Sequence, residues 1–292
     1  MWKKFKEFII NIYNIMMKPE MLTLPSTLAY YFVLAVVPII SFLLLIATSF
    51  NLSTTFITQF IEQNFSKEVM DVITPMITGY NFNFGFVVYL LIAFFIVSNG
   101  CDSIIIASNM VFNIENKNYI KRRMKAFAMT ILLFILFTFM LIVPIFGEQI
   151  LNLATLVGFN NKIINALQML YPVLNLPITI IMMYFSIKLI YVIAPDEKIK
   201  SKYVTKGAIF TTTVWVLATL IYSYYIKNIA TYNLYYAGLS NIVILMVWFY
   251  ILAFVFVMGL SFNYQNVKHN IEMTNNIKLK ELEEKVRESR NK

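Results

Sequence analysis

The chain has 292 residues, of which 59% are hydrophobic, 16% aromatic and only 13% charged, with a formal net charge of +9. Soluble domains carry about 25% charged residues, so this composition excludes an ordinary water-soluble domain and indicates a membrane protein. The single Cys101 excludes an intramolecular disulfide, and the single His269 argues against a metal site built on imidazoles. We therefore expect neither a metal nor another cofactor.

Residues 1–20 predict an amphipathic helix. Apolar side chains recur in this segment at helical spacing, with the lysines off the apolar stripe. Such a helix lies in the headgroup layer of the cytoplasmic face, with its lysines toward anionic lipids. The alternative is a helix packed against the bundle. The stripe consists of Trp2, Phe5, Phe8, Ile9, Ile12, Tyr13 and Met16.

Residues 21–265 predict a domain of six transmembrane helices. A span needs about 20 apolar residues to cross a hydrocarbon core about 30 Å thick, and six segments meet this condition. They are Leu28–Phe50, Phe84–Ile106, Ala126–Phe146, Leu174–Ala194, Gly207–Ile229 and Leu239–Phe262. Because Pro38 lies in the first span and Pro172 and Pro177 lie near the start of the fourth, we expect a kink or break in these two.

Two long gaps and a tail complete the chain. The gaps 51–83 and 147–173 carry apolar helical stripes that are too short and too polar to span, so we expect short helices on the outer face. The alternative is a re-entrant segment that lines a cavity. The tail 266–292 alternates cations with glutamates, which indicates a charged cytoplasmic segment, either a solvated helix or disordered.

The cations predict the orientation. Most of the 24 Lys and Arg residues lie in alternate gaps, so the positive-inside rule places both termini in the cytoplasm. The cation-rich segments contain Lys3, Lys4, Lys6 and Lys18; Lys117, Lys121, Arg122, Arg123 and Lys125; Lys198, Lys200, Lys202 and Lys206; and Lys268, Lys278, Lys280, Lys285, Arg287, Arg290 and Lys292.

Two ionisable residues lie inside predicted spans, besides Lys227 at the outer end of the fifth. A charge at the bilayer centre costs about 2.5–3.5 kcal/mol on insertion scales, so such residues point to function. Asp102 lies near the inner end of the second span, and Lys188 lies about 9 Å below the inner end of the fourth. We hypothesise that they interact or line a polar cavity open to the cytoplasm. The alternatives are that Lys188 extends to the headgroups and that the second span ends near Gly100.

The sequence contains no motif of a known catalytic site. Metalloprotease, nucleophile-elbow and phosphate-loop patterns are absent, so we predict that the protein is not an enzyme. Basic residues such as Lys121-Arg122-Arg123 follow the topology, and anionic lipid headgroups explain them without nucleic acid. We therefore expect membrane lipids as partners and no nucleic acid.

Five short segments, in the order of the spans, resemble the motifs of one family. They are Leu28-Ala29-Tyr30-Tyr31 with Pro38, Ala107-Ser108-Asn109-Met110-Val111-Phe112 before a basic loop, Leu189-Ile190-Tyr191 with Pro195, Gly207-Ala208 with Trp215, and Tyr236-Ala237-Gly238-Leu239 with Trp248. This series is similar to that of the YihY/BrkB family of bacterial inner-membrane proteins, over roughly residues 5–265. Ala237 is a departure, because the family more often has Tyr directly before Gly.

The resemblance implies an all-α polytopic membrane protein with six spans, and no settled activity. Family members have carried the labels virulence factor and tRNA-processing ribonuclease, and no residue here supports the nuclease label. Our first hypothesis is a transporter or a flippase-like protein for a lipid or envelope component. The second is a non-transporting scaffold or envelope assembly factor, and the third a membrane-bound enzyme. The expected cavity-lining residues are Tyr30, Tyr31, Asp102, Asn109, Lys188 and Tyr191.

Overall fold

The structure is a computed structural model that describes residues 10, 13, 16, 17, 19–49, 84–156, 161–228, 243–265 and 267. Six long helices occupy these ranges, and no strand occurs within them, so the described part of the chain is all-α as predicted. The helices are α1 (Glu20–Ser49), α2 (Phe84–Phe112), α3 (Tyr119–Leu156), α4 (Asn161–Ile193), α5 (Ser201–Asn228) and α6 (Val243–Gln265).

Four helical segments of the described chain are long and apolar enough to cross a membrane. They are Leu91–Phe112, Val173–Ile193, Ser201–Tyr225 and Val243–Gln265. A shorter apolar segment, Met21–Val36, lies in α1. The predicted first and third spans fall on α1 and α3, and the crossing of the membrane by these two helices stays a prediction.

Large apolar side chains point away from the protein interior on these helices. Met169 is 82% exposed, Val173 71% and Ile221 70%. Soluble proteins rarely expose apolar surface on this scale, whereas lipid tails surround it without cost. The exposed apolar faces therefore agree with a protein that is surrounded by lipid.

The helices are longer than the predicted spans. Helix α3 continues to Leu156 and α4 already begins at Asn161. The prediction of separate short helices in 147–173 is therefore wrong where the structure describes this gap. The physical reason is that continuing a helix adds one hydrogen bond for each residue fixed, whereas a new short helix must first form a costly nucleus.

Proline does not interrupt the helices in which the sequence indicated a break. Helix α1 runs through Pro25 and a buried Pro38, and α4 runs through Pro172 and Pro177. The expected break is therefore absent at both places, and the alternative of a kink stays a prediction. Neighbouring helices and local adjustments satisfy the carbonyls that proline leaves free in such bundles.

Other predictions fall largely or wholly on residues that the structure does not describe. In the predicted amphipathic helix 1–20, Ile10, Tyr13 and Met16 are described, and their side chains are exposed by 46%, 59% and 45%. The outer gap 51–83, Gly238 and all of the tail 266–292 except Val267 lie outside the described residues.

Helices that follow one another in the chain pack side by side, and α6 packs against several of them. Phe249 of α6 contacts Phe32 of α1, with ring centroids 6.2 Å apart, and Tyr264 contacts Phe112 of α2 at 6.0 Å. The buried core thus includes residues of all six described helices. This packing brings the ends of α2 and α4 together with the start of α3, where polar side chains collect.

Candidate functional site

The end of α2 turns sharply because Asn113 adopts a left-handed backbone conformation. Its φ is 54°, and the amide of Ile114 donates to the carbonyl of Asn109 at 2.8 Å. This is the usual C-terminal turn of a helix, in which Asn is the best substitute for Gly. The turn directs residues 114–118 back toward the helix, so that Asn116 reaches Asn109 and Lys117 reaches Asp196.

Asn109 is the centre of a buried polar cluster. Its side chain is fully buried, and its amide nitrogen donates to Oδ1 of Asn116 at 2.9 Å and to Oδ2 of Asp196 at 2.8 Å. Its amide oxygen accepts the main-chain N–H of Asp196 at 2.8 Å. A buried amide with this many partners fixes the positions of the groups around it. Asn109 thereby attaches the end of α2 to the segment after α4.

Asp196 is the acidic member of this cluster. Nζ of Lys125 lies 2.8 Å from its Oδ1 and Nζ of Lys117 lies 3.9 Å from the same oxygen, while only 2% of the Asp196 side chain is exposed. Burial raises the pKa of Asp196. Hydrogen bonds from Lys125, Asn109 and the main-chain N–H of Lys117, together with the charge of Lys125, lower this pKa by more than burial raises it. The net pKa lies below its ordinary value, so the carboxylate stays ionised. We call Asn109, Asn116, Lys117, Lys125 and Asp196 the Asp196 cluster.

Lys125 also satisfies the end of α4. Its ammonium group donates to the carbonyls of Ala194 at 2.8 Å and Pro195 at 2.9 Å, in addition to Asp196. The last carbonyls of a helix have no partner within it and carry partial negative charge, so a cation at this position is stabilising. One lysine of α3 thus fixes both the carboxylate and the end of α4.

A second polar group lies between α2 and α3. Nε of Arg122 donates to Oδ1 of Asp102 at 2.8 Å, and both side chains are less than one-fifth exposed. Nζ of Lys188, by contrast, lies over the ring of Tyr184, 5.6 Å from its centroid. The hypothesis of an Asp102–Lys188 pair is therefore corrected. The Asp102 carboxylate forms its ion pair with Arg122, because α3 packs directly on α2.

Arg123 lies in the same region and has only uncharged partners among the described residues. Nη1 donates to Oδ1 of Asn99 at 2.7 Å and Nη2 to Oγ of Ser98 at 2.8 Å. The guanidinium lies over the rings of Phe95 and Phe127, 4.3 and 4.7 Å from their centroids. The residue is 8% exposed, and Nε is buried without a partner there. We call Ser98, Asn99, Asp102, Arg122 and Arg123 the arginine layer.

An open pocket of about 480 Å³ lies at the start of α3, and its lining is basic. Asn118 Oδ1 accepts the amide of Lys121 at 3.2 Å, which is the N-capping bond of the helix. Lys121 and Lys125 are four residues apart and therefore share one face of α3, whereas Arg123 lies on the other face, toward α2. We call this site, lined by Lys117, Asn118, Lys121 and Lys125, the lysine pocket.

Tyr191, an expected cavity-lining residue, lies in a packed core. It is fully buried, and its hydroxyl donates to the carbonyl of Phe256 at 2.8 Å and lies 2.7 Å from Oγ1 of Thr211. A Cβ atom added to Gly259 would collide with both hydroxyls. The three helices α4, α5 and α6 therefore approach too closely here to leave a passage.

Two further expected lining residues, Tyr30 and Tyr31, lie on α1. The side chain of Tyr30 is 56% exposed and packs edge-on against Tyr31, with centroids 5.3 Å apart. Tyr31 Cβ would lie 3.3 Å from a Cβ on Gly100 of α2. The sequence hypothesis thus named residues from three separate places, of which only Asn109 and Asp102 belong to the polar groups at the end of α2.

The motif residues that we expected to have a structural role form contacts between helices. The amide of Gly207 donates to Oδ1 of Asn263 at 2.9 Å, and Nε1 of Trp215 donates to the carbonyl of Leu252 at 2.8 Å. Trp248 stacks on Tyr222 at 5.1 Å, and its ring nitrogen is buried without a partner in the described chain. Pro195 is buried directly before Asp196.

Sequence reasoning missed Asp196 and treated Arg122 and Arg123 only as determinants of topology. A usable signal was present for Asp196, because it and Glu197 are the acids of a lysine-rich loop and Asp196 closely follows the end of a span. For Arg123 no periodic signal exists, since its partners Ser98 and Asn99 lie on another helix. Among the described residues, no group of His, Cys, Asp and Glu could hold a metal ion.

Comparison with known proteins gives one matching family model and relatives that align over most of this chain. The model of the family described as "Virulence factor BrkB" matches residues 13–281. The protein named "Putative ribonuclease-like protein YfkH" of Bacillus subtilis is 27% identical over 243 residues, which is 82% of this chain and 87% of that protein. A UPF0761 membrane protein of Mannheimia succiniciproducens is 23% identical over 236 residues, 76% of each chain. No solved structure matches.

Proposed function

The chain belongs to the virulence factor BrkB family, which includes multi-pass membrane proteins, and we propose that it moves a lipid or another envelope component across a bacterial plasma membrane. In this proposal six helices span the membrane and both termini lie in the cytoplasm, as the alternating cations indicate. The ends of α2 and α4 and the start of α3 then lie at the cytoplasmic face.

The guanidinium of Arg123 carries the proposal. It contacts Ser98 and Asn99, which lie within the candidate span Leu91–Phe112. None of its partners among the described residues is a carboxylate. A buried cation without an opposite charge is costly, and ionisable groups inside a membrane protein are usually functional. A negatively charged headgroup that reaches this guanidinium would supply the missing charge.

The arginine layer is better suited to this role than the core around Tyr191. Helices α4, α5 and α6 are in close contact at Gly259, whereas Arg123 is surrounded by two rings and two small polar groups, and its own Nε has no partner in the described chain. Aromatic faces and neutral hydrogen-bond acceptors hold a cation without neutralising it. We therefore assign the substrate contact to the α2–α3 side of the bundle.

A non-transporting scaffold is the second candidate function. The close contact of Tyr191, Thr211 and Gly259 favours it, because a rigid, dry interior is what an assembly factor requires. An enzymatic role, such as the one in the name of the Bacillus subtilis protein, has no support from residues that could bind a metal in the described chain.

The test is a lipid-movement assay with purified protein in vesicles. Fluorescent phosphatidylglycerol and phosphatidylcholine are placed in both leaflets, and an impermeant quencher measures how fast each reaches the outer leaflet. We expect protein-dependent movement that is faster for the anionic lipid, lost in Arg123→Gln and partly kept in Arg123→Lys. Lys202→Gln, which removes an exposed cation on α5, is the matched control.

The result that overturns the proposal is equally definite. If the wild-type protein moves neither lipid in vesicles, or if Arg123→Gln moves phosphatidylglycerol as fast as the control variant, the assigned role of Arg123 is wrong. Thermal unfolding of each variant in detergent shows whether a loss of movement reflects a loss of folded protein. Partial rescue by Arg123→Lys supports a requirement for the charge itself.

A further inference from the structure

The lysine pocket contains more positive charge than its surroundings neutralise. Three ammonium groups face it, and the only carboxylate of the adjoining Asp196 cluster is Asp196. The oxygens of Asp196 already accept Lys125, Asn109 and the amide of Lys117. Lys121 therefore keeps an exposed ammonium group with no carboxylate within ion-pair distance in the described part of the chain.

The start of α3 has free main-chain donors beside this pocket, between its lining residues Asn118 and Lys121. The first intrahelical bond runs from the amide of Arg122 to the carbonyl of Asn118. The amides of Tyr119 and Ile120 precede it and so have no acceptor within the helix. The positive end of the helix dipole and such free amides form a common binding site for phosphate groups.

Lys125 is held in place before any ligand arrives. Three acceptors, the carbonyls of Ala194 and Pro195 and the carboxylate of Asp196, fix its ammonium group, whose side chain is 22% exposed. Lys117 is 52% exposed and lies 3.9 Å from Asp196, so it can turn toward a ligand. The pocket thus combines one fixed cation with two that can adjust.

We propose that the lysine pocket binds a phosphate group, held by Lys117, Lys121 and Lys125 with the first amides of α3. Phosphate is the anion that this set of donors suits, since ammonium groups and the amides at a helix start both bind its oxygens. The site lies on the face of α3 opposite Arg123 and does not require that anything be transported. It therefore goes beyond the proposed function.

The surroundings favour a phosphate carried by a lipid. Tyr119, Ile120 and Met124, on the first turns of α3, are exposed by 63%, 71% and 63%. Aromatic and apolar side chains beside lysines are typical of segments at the membrane interface, where headgroups lie. Free phosphate remains the other source of the same chemistry, and the experiment separates the two.

The test uses full-length protein in lipid nanodiscs and two arms. In one arm, inorganic phosphate is titrated calorimetrically into protein in phosphatidylcholine nanodiscs. In the other, native mass spectrometry measures the phosphatidylglycerol retained from mixed nanodiscs relative to phosphatidylcholine. Lys121→Gln is the main variant and Lys117→Gln the second, while Lys198→Gln, an exposed lysine in the loop after α4, is the matched control.

We expect Lys121→Gln to weaken binding about fivefold, the effect of one lysine near an anionic surface, and Lys198→Gln to leave it unchanged. Weakening in the lipid arm identifies a headgroup site, and weakening in the phosphate arm alone identifies a site for free phosphate. The proposal is overturned if the wild type binds neither ligand, or if both lysine-pocket variants behave like Lys198→Gln. Thermal unfolding, expected to be unchanged for the exposed Lys121, excludes a folding defect.

Discussion

Asn109 binds Asp196 through two hydrogen bonds of 2.8 Å, one to the carboxylate and one from the main-chain amide. The two residues belong to different helix ends, so this contact attaches the end of α2 to the segment that follows α4. Lys125 of α3 binds the same carboxylate. Three helices thus meet at one buried charge, and the arginine layer and the lysine pocket lie on either side of α3 near this point.

Substitution of Asn109 by Leu tests this attachment. We expect the apparent melting temperature to fall, because Asp196 loses two hydrogen bonds and its charge stays buried; the loss is about 2 kcal/mol or more. Thermal unfolding of purified protein in detergent measures it. Met110→Leu, at the exposed neighbouring position, is the control and should melt like the wild type. Equal melting of both variants would show that the contact does not contribute to stability.

The charge of Asp196 makes stability depend on pH in a defined direction. Because its pKa in the folded state lies below the unfolded value of 3.8, the ionised carboxylate stabilises the fold above about pH 4. That contribution is lost as the pH falls through the folded-state pKa.

We therefore expect Asp196→Asn to be less stable than the wild type at pH 7, with the difference shrinking as the pH falls below about 4. Melting temperatures measured from pH 7 to pH 3 test this. Glu197→Gln, at the exposed neighbouring position, is the control and should stay close to the wild type across this range. A difference between Asp196→Asn and wild type that is constant with pH would contradict the assignment.

The all-α class could be predicted from the sequence, because long apolar runs and a fraction of charged residues too low for a soluble protein leave few alternatives. Each predicted span falls on one described helix, and the family assignment agrees with the motifs around Tyr191 and Trp215. The helix ends could not be predicted, because α3 continues through Gly147 to Leu156 although glycine commonly marks the end of a helix. Hydropathy places the centre of a span but not the polar turns that extend beyond it.

The candidate site was only partly predictable, since its partners are far apart in sequence. Asn109 stood out as a polar residue at the end of a span, but its partner Asp196 belongs to another gap. Asp102 stood out as an intramembrane acid, yet its cation proved to be Arg122 rather than Lys188. Depth along a span can be read from a sequence, whereas the rotation of one helix against another is set by packing.

Gly259 tests the close approach of α4, α5 and α6. We expect Gly259→Ala to lose stability by about 1–3 kcal/mol, because the added methyl group collides with the hydroxyls of Tyr191 and Thr211. Gly100→Ala is the matched control, since its added methyl group would meet only Cβ of Tyr31 at 3.3 Å and should cost less. Thermal unfolding of both variants measures the difference, and a Gly259→Ala protein that melts at or above the Gly100→Ala protein would refute the close packing.

A double-mutant cycle distinguishes the observed partner of Asp102 from the one that the sequence suggested. Asp102→Asn and Arg122→Gln remove a 2.8 Å pair whose side chains are 15% and 18% exposed, so we expect a coupling energy above about 0.5 kcal/mol in thermal or chemical unfolding. Lys188 lies over Tyr184 instead. Asp102→Asn and Lys188→Met should therefore add within about 0.5 kcal/mol. Strong coupling in the second cycle and none in the first would mean that Lys188 replaces Arg122 beside this carboxylate in the membrane.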